Sequence, residues 1–264
     1  MHFNQILKPL LNDTNMAVHF KDGIPDFIPP DCPHQKIGVA YDKTAGQYDS
    51  YITGENFFLK ILKKIALGLD KEAETECKRV INKMLSRMNG EGTVLDIPAG
   101  TGLFTFEEYV KKPEILFIAA EYSWGMLKQA QQKIKRLNAK NILLVRADVG
   151  SLPFKNESFD ALICLNGIHS FPEKEKAISQ MSGVLKKDGS IHGSLVLRGE
   201  RWLTDLIMET AYYRLLWFTR PALSRGEFLT ALKKHGLEIN SFITIGPAAT
   251  FEASKGNVIL QSAG

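Results

Sequence analysis

Val94-Leu95-Asp96-Ile97-Pro98-Ala99-Gly100-Thr101-Gly102 is the stretch whose reading decides the fold. The apolar run from Thr93 to Ile97 has the length of a buried strand. Gly100 and Gly102 then make a tight turn, because a residue without Cβ lets the backbone bend sharply and lets a ligand come close. Leu103-Phe104-Thr105-Phe106 opens a helical pattern. Strand, glycine turn and helix form the start of a nucleotide-binding α/β unit. An ordinary αβ turn reads the same way locally, so the rest of the chain has to arbitrate.

Working outward, strands and helices alternate. Ile115 to Ala120 reads as a second strand. Ser123 caps a helix whose Leu127, Ala130, Ile134 and Leu137 share one face. Ile142 to Val145, Phe159 to Leu165 and Ile191 to Leu197 are further strands, with a helix from Pro172-Glu173 before the last. Five strands with helical crossovers predict a parallel sheet covered on both faces. After Ser224 caps another helix, the pair Glu238 to Ile245 and Asn257 to Gln261 is joined too tightly for a crossover, which predicts antiparallel pairing. The fold expected is a Rossmann-like, doubly wound α/β domain with a seven-stranded sheet, parallel but for one strand.

Two regions stand outside that alternation. Residues 1–40 read as an extended segment of turns, typified by Lys21-Asp22-Gly23-Ile24-Pro25, poorly organised for a core. From 41 to 90 the pattern is helical: Phe57, Phe58, Ile61, Leu62, Ile65 and Leu69 recur at helical spacing, and so do Val80, Ile81, Met84, Leu85 and Met88. Residues 199–221 form an aromatic-rich helical insertion after the fifth strand, suited to a cap over a pocket, a dimer interface or core. The expected organisation is an N-terminal segment 1–40 followed by one domain, 41–264.

Composition narrows the function classes. The 264 residues are 44% hydrophobic and 23% charged, with a net charge of +4, ordinary for a globular protein and short of the clustered charge of a nucleic-acid binder. Cys32, Cys77 and Cys164 are too far apart for a paired framework, which points to a reducing, cytoplasmic setting. Cys32 and His34 are two soft ligands where a zinc site wants four, so no metal is expected. No run is apolar and long enough to insert stably in a bilayer, and a monomer or homodimer is expected.

Ligands of open α/β sheets bind at the carboxyl ends of the strands. Those ends carry, in order, Asp96 with its glycine turn, Glu121, Ala147-Asp148-Val149 and Asn166-Gly167-Ile168-His169. Glu121 follows Gly102 by 19 residues, the distance at which a carboxylate bridges ribose hydroxyls. Tyr41 and Tyr48, seven apart, share a helix face, as a packed aromatic surface or as a lid over a ligand.

Leu95-Asp96 through Gly100-Thr101-Gly102, Glu121 with Ser123 and Met126, Arg146-Ala147-Asp148-Val149 before Leu152-Pro153-Phe154, Ser158-Phe159-Asp160, and Leu185-Lys186-Lys187-Asp188-Gly189 together resemble the class I S-adenosylmethionine-dependent methyltransferases, of the small-molecule, UbiE-like type. The likeness covers about residues 41–197. It implies S-adenosylmethionine as cofactor and S-adenosylhomocysteine as product. By that resemblance Gly100, Thr101 and Gly102 lie near the methionine part and Asp96 helps hold its ammonium. Glu121 binds the ribose, Met126 packs near the adenine, Asp148 bonds the adenine amino group, and Asn166 and Gly167 line the floor. Tyr122, Val149, Tyr41 and Tyr48 complete the expected cofactor contacts.

Two departures stand out. Pro98-Ala99 replaces the glycine-rich start of the usual turn, and proline lacks an N–H, so that part of the turn has to differ. Asp22-Gly23-Ile24-Pro25-Asp26-Phe27 resembles the tail of a small zinc ribbon without its cysteines, hence a remnant without metal. A nicotinamide-dependent dehydrogenase would need a third glycine where Thr105 stands.

A sulfonium loses its methyl group readily, so the protein mainly aligns the acceptor and excludes water. His169 is the candidate base for an acceptor that must lose a proton, the alternative being a packed turn histidine. Arg198, Trp202 and Tyr212 are candidate substrate contacts. The aromatic insertion favours a small, partly apolar acceptor and no nucleic acid. An RNA or protein methyltransferase, or a cofactor-binding protein without catalysis, are the alternatives.

Overall fold

The computed structural model describes residues 3–13, 18–53, 71–88 and 90–256. The sheet is built on β3 (Gly92–Asp96), with β4 (Ile115–Glu121) and β6 (Phe159–Leu165) parallel on either side. β5 (Ile142–Arg146) continues the sheet beyond β4, and β7 (Leu185–Val196) continues it beyond β6. β8 (Leu237–Ile245) and β9 (Ala248–Lys255) close that side, with β9 between β7 and β8 and antiparallel to both. These seven strands are the expected sheet, parallel but for one. Strand order reverses at β3, whose two neighbours, β4 and β6, both follow it in sequence and run outward in opposite directions.

The sheet has nine strands rather than seven. The N-terminal hairpin β1 (His19–Lys21) and β2 (Ile24–Asp26) extends the edge, with β2 parallel to β5. Asp26 lies opposite Arg146 and accepts from its guanidinium at 3.0 Å. The N-terminal stretch is thus not mere turn material: beyond the short helix α1 (Phe3–Ile6), Leu7 and Leu11 are fully buried in the main core. The apolar residues Phe3, Ile6, Leu7, Leu10 and Leu11 do recur at helical spacing, but the run is short and Pro9 interrupts it.

Alternation in the strands sorts side chains to two faces. Val94, Phe117, Ala119, Ala161 and Ile163 pack on one face beneath α3 (Lys71–Arg87) and α5 (Trp124–Leu137). Leu95, Ile118, Ala120, Leu162 and Cys164 pack on the other beneath α6 (Lys174–Val184) and α8 (Arg225–Lys234). The intervening helices are α2 (Gln35–Thr53), the single turn α4 (Phe106–Tyr109) and α7 (Trp202–Ile207), which runs into a π-helical turn at Met208–Tyr212. Ser123 accepts from the Met126 N–H at 3.1 Å, and Ser224 forms a capping box with Glu227, so both expected N-caps are present. The expected helix over 57–69 and the expected strand over 257–261 lie outside the described residues. The partner of β8 is instead Ala248–Lys255, reached by a two-residue turn at Gly246-Pro247. Small residues in Ala-Ala-Thr-Phe-Glu-Ala-Ser mask its strand character in the sequence.

Truncating Leu11 to alanine is expected to cost about 2–4 kcal/mol, as for a full core leucine. Urea unfolding measures it; a loss under about 0.5 kcal/mol, typical of a surface change, would show that the N-terminal segment is not part of the core.

Candidate cofactor site

The carboxyl ends of β3, β4, β5 and β6 open into one cavity, roofed by α2. Asp96, Gly100, Thr101, Glu121, Tyr122, Met126, Asp148, Val149, Asn166, Tyr41 and Tyr48 all line it. Glu121 holds the two central turns together. Its carboxylate accepts from the N–H groups of Gly100 (2.9 Å), Tyr122 (2.8 Å) and Ser123 (2.8 Å). Burial pushes its carboxyl above the usual range, against those three donors, which favour the ionised form.

Asp96 is buried at the end of β3 and accepts from the Tyr109 hydroxyl at 3.1 Å. Burial, aided by the nearby Glu121 charge, pushes its carboxyl up to about 7. Asp148 accepts from Gly150 N–H at 2.8 Å, and its second oxygen faces the Cys32 thiol at 3.6 Å. The Tyr122 hydroxyl donates to the same sulfur at 3.3 Å, so the N-terminal segment reaches the cavity rim. Tyr41 donates to the carbonyl of Trp217 at 2.9 Å, joining the roof to the insertion.

The two turn glycines serve different ends. Gly100 has φ +56°, and a Cβ there would meet nothing within 4 Å: the space in front of it is open to a ligand. A Cβ on Gly102 would sit 2.3 Å from the Phe106 ring, and one on Gly167 would sit 2.3 Å from Pro98. Neither residue lines the cavity; each is small because a ring packs on it. The buried Thr105 side chain lines the cavity beside Asp96 and Tyr109. An open glycine cradle and buried carboxylates fit a cationic, polyhydroxylated cofactor.

The acceptor-side expectations need correction. His169 is buried outside the cavity lining, its Nδ1 accepting from Val196 N–H at 3.2 Å and its ring 4.2 Å from that of Phe218. Burial, with Lys174 nearby, lowers its pKa to about 3, so it is a packed neutral histidine rather than a base. Arg198 donates to Ala222 O at 2.8 Å and pairs with Glu227, fastening the end of the insertion to α8. Trp202 is 76% exposed on α7. Tyr212 is buried among Val196, Met208 and Phe218 in the insertion's own core. The apolar wall comes instead from Phe104, Leu103, Ile37 and Phe171, which the sequence did not single out.

Lys174 links insertion and cavity. Its buried ammonium donates to Phe171 O (3.0 Å), Thr219 O (2.8 Å) and Thr219 Oγ (2.7 Å), and desolvation lowers it to about 8.

Known proteins share this fold. Residues 94–189 match the family described as "Methyltransferase domain". Over that stretch the chain is similar to methyltransferase domains. The domain is 36% identical over 113 residues to an uncharacterized chloroplastic methyltransferase of Arabidopsis thaliana, covering 40% of this chain and 32% of that protein. It is 28% identical over 205 residues to the ubiquinone/menaquinone biosynthesis C-methyltransferase UbiE of Campylobacter jejuni, covering 68% of this chain and 84% of that one. The chain spans about a third of the length of the first of these relatives. Among solved structures, the cyclase SpnF superposes with a TM-score of 0.65 at 16% identity, covering 87% of this chain and 98% of that one, a likeness of fold.

Asp96 predicts a pH dependence. Its folded-state pKa, about 7, lies above the unfolded value. Between about pH 4 and 7 the folded protein therefore holds a proton that the unfolded chain lacks, and stability falls as pH rises through that window. Asp96→Asn removes this term, so its melting temperature without ligand should exceed the parent's by several degrees at pH 8 and by little at pH 4. An advantage independent of pH would contradict the assignment.

Proposed function

We propose that the chain transfers a methyl group from S-adenosylmethionine to a small, partly apolar acceptor. The observation that carries this is the cavity itself: Asp96, Glu121 and Asp148 at or just beyond three successive strand ends share its lining with Tyr41, Tyr48, Phe104 and Phe171. In this reading Asp96 holds the cofactor's ammonium, Glu121 its ribose hydroxyls and Asp148, with Val149 and Met126, the adenine. The aromatic wall suits a flat or apolar acceptor, in keeping with the quinone-pathway activity in the name of the Campylobacter jejuni relative. Sulfonium chemistry asks the chain to align and to exclude water, and a roof of α2 over the glycine turn does both.

No helix among the described residues is long and apolar enough to cross a membrane. The cytoplasmic setting, like the view of residues 1–40 as a ribbon remnant, belongs to this proposal; Cys32, Cys77 and Cys164 are all free thiols.

Calorimetric titration tests the cofactor side. S-adenosylhomocysteine should bind in the micromolar range, NAD not at all, and Asp148→Ala should weaken the former about tenfold, the worth of one well-placed hydrogen bond. Equal binding of NAD, or none of the sulfur compound, would sink the proposal. Because a cyclase shares the fold, the reaction needs its own assay: methyl label should pass from S-adenosylmethionine to a quinol or phenolic acceptor.

A further inference from the structure

The roof helix α2 carries a repeated pair, Tyr41-Asp42 and Tyr48-Asp49, seven residues apart. The tyrosines line the cavity. Each aspartate grips a different part of the cavity wall. Asp42 accepts from Ser123 Oγ (2.5 Å) and from the Gly125 N–H (2.8 Å) at the start of α5. Asp49 accepts from Thr101 Oγ in the glycine turn (2.5 Å), and its other oxygen faces Lys133 Nζ at 3.3 Å.

Backbone contact brings α2 in close at two further points. A Cβ on Gly38 would lie 2.8 Å from the Tyr122 ring, and one on Gly125 would lie 2.9 Å from Asp42 Cα. Yet Ala45 is the one buried apolar side chain on α2 among the described residues. Over its described side chains the helix is therefore docked mainly by polar bonds and close backbone approach rather than by a buried apolar face. Contacts of that kind part at low cost because water replaces them.

We propose that Asp42 and Asp49 are positioning residues. They latch α2 in the register that sets Tyr41 and Tyr48 over the cofactor, and their release lets α2 lift for cofactor exchange. The inference rests on the cofactor reading and extends it to the roof.

The test measures S-adenosylhomocysteine dissociation by stopped flow, with amide hydrogen exchange of residues 37–49, in Asp42→Ala, Asp49→Ala and Asp49→Asn. Each alanine variant should release the ligand about tenfold faster and exchange faster along α2, with β3 and β4 unchanged. Asp49→Asn keeps an oxygen to accept from Thr101 and should recover most of the loss. Thr101→Val should cost less in the Asp49→Ala background than alone. Dissociation within twofold of the parent, or unchanged exchange in α2, would overturn the latch. If the parent protein bound no S-adenosylhomocysteine, the cofactor reading would fall, while exchange of α2 in the ligand-free variants would still decide the latch.

Discussion

The carboxylate of Glu121, buried and encircled by three backbone N–H groups, is the constraint on which the rest of the site depends. A charge in that position is tolerated only because Gly100, Tyr122 and Ser123 aim their donors at it. The three donors come from two different turns, one after β3 and one after β4. Their meeting at one side chain fixes the spacing of the two turns, and so the width of the slot between them. Asp96 and Asp148 then sit on either flank of that slot, the first at the end of β3 and the second just beyond β5, strands whose register the sheet already sets.

The fold was legible because its elements are long and repetitive. Five buried strands, each bounded by turn residues, and helices with a regular apolar face leave few other architectures. The cofactor half of the site was legible for a related reason. In a parallel sheet the functional side chains must stand at strand ends, and strand ends can be counted from the sequence. Asp96, Glu121, Asp148 and Asn166 follow from that topological rule.

What was not legible has a common cause. His169, Arg198, Trp202 and Tyr212 belong to segments whose path depends on packing rather than on periodicity. An arginine at a strand end reads as a ligand until Ala222 O and Glu227 are seen around it. A tryptophan in an aromatic segment reads as a pocket wall until its helix is found facing outward. The N-terminal residues posed the converse problem: Leu7 and Leu11 belong to a helical repeat too short, and too soon broken by Pro9, to read as core, yet they complete it. The Tyr-Asp repeat was a second overlooked signal; its tyrosines drew notice and its aspartates did not.

The insertion after β7 keeps a core of its own. Met208, Tyr212, Phe218 and Ala222 pack together and touch the sheet's buried residues through Val196. Polar ties fasten it beside the cavity: the Lys174 ammonium on Thr219, the Thr219 hydroxyl on the Phe171 carbonyl and the Tyr41 hydroxyl on the Trp217 carbonyl. The insertion is thus a module with its own core, while the strand-end slot is integrated with the sheet. Such a division lets the insertion change its sequence while the slot, which none of its residues lines, stays as it is.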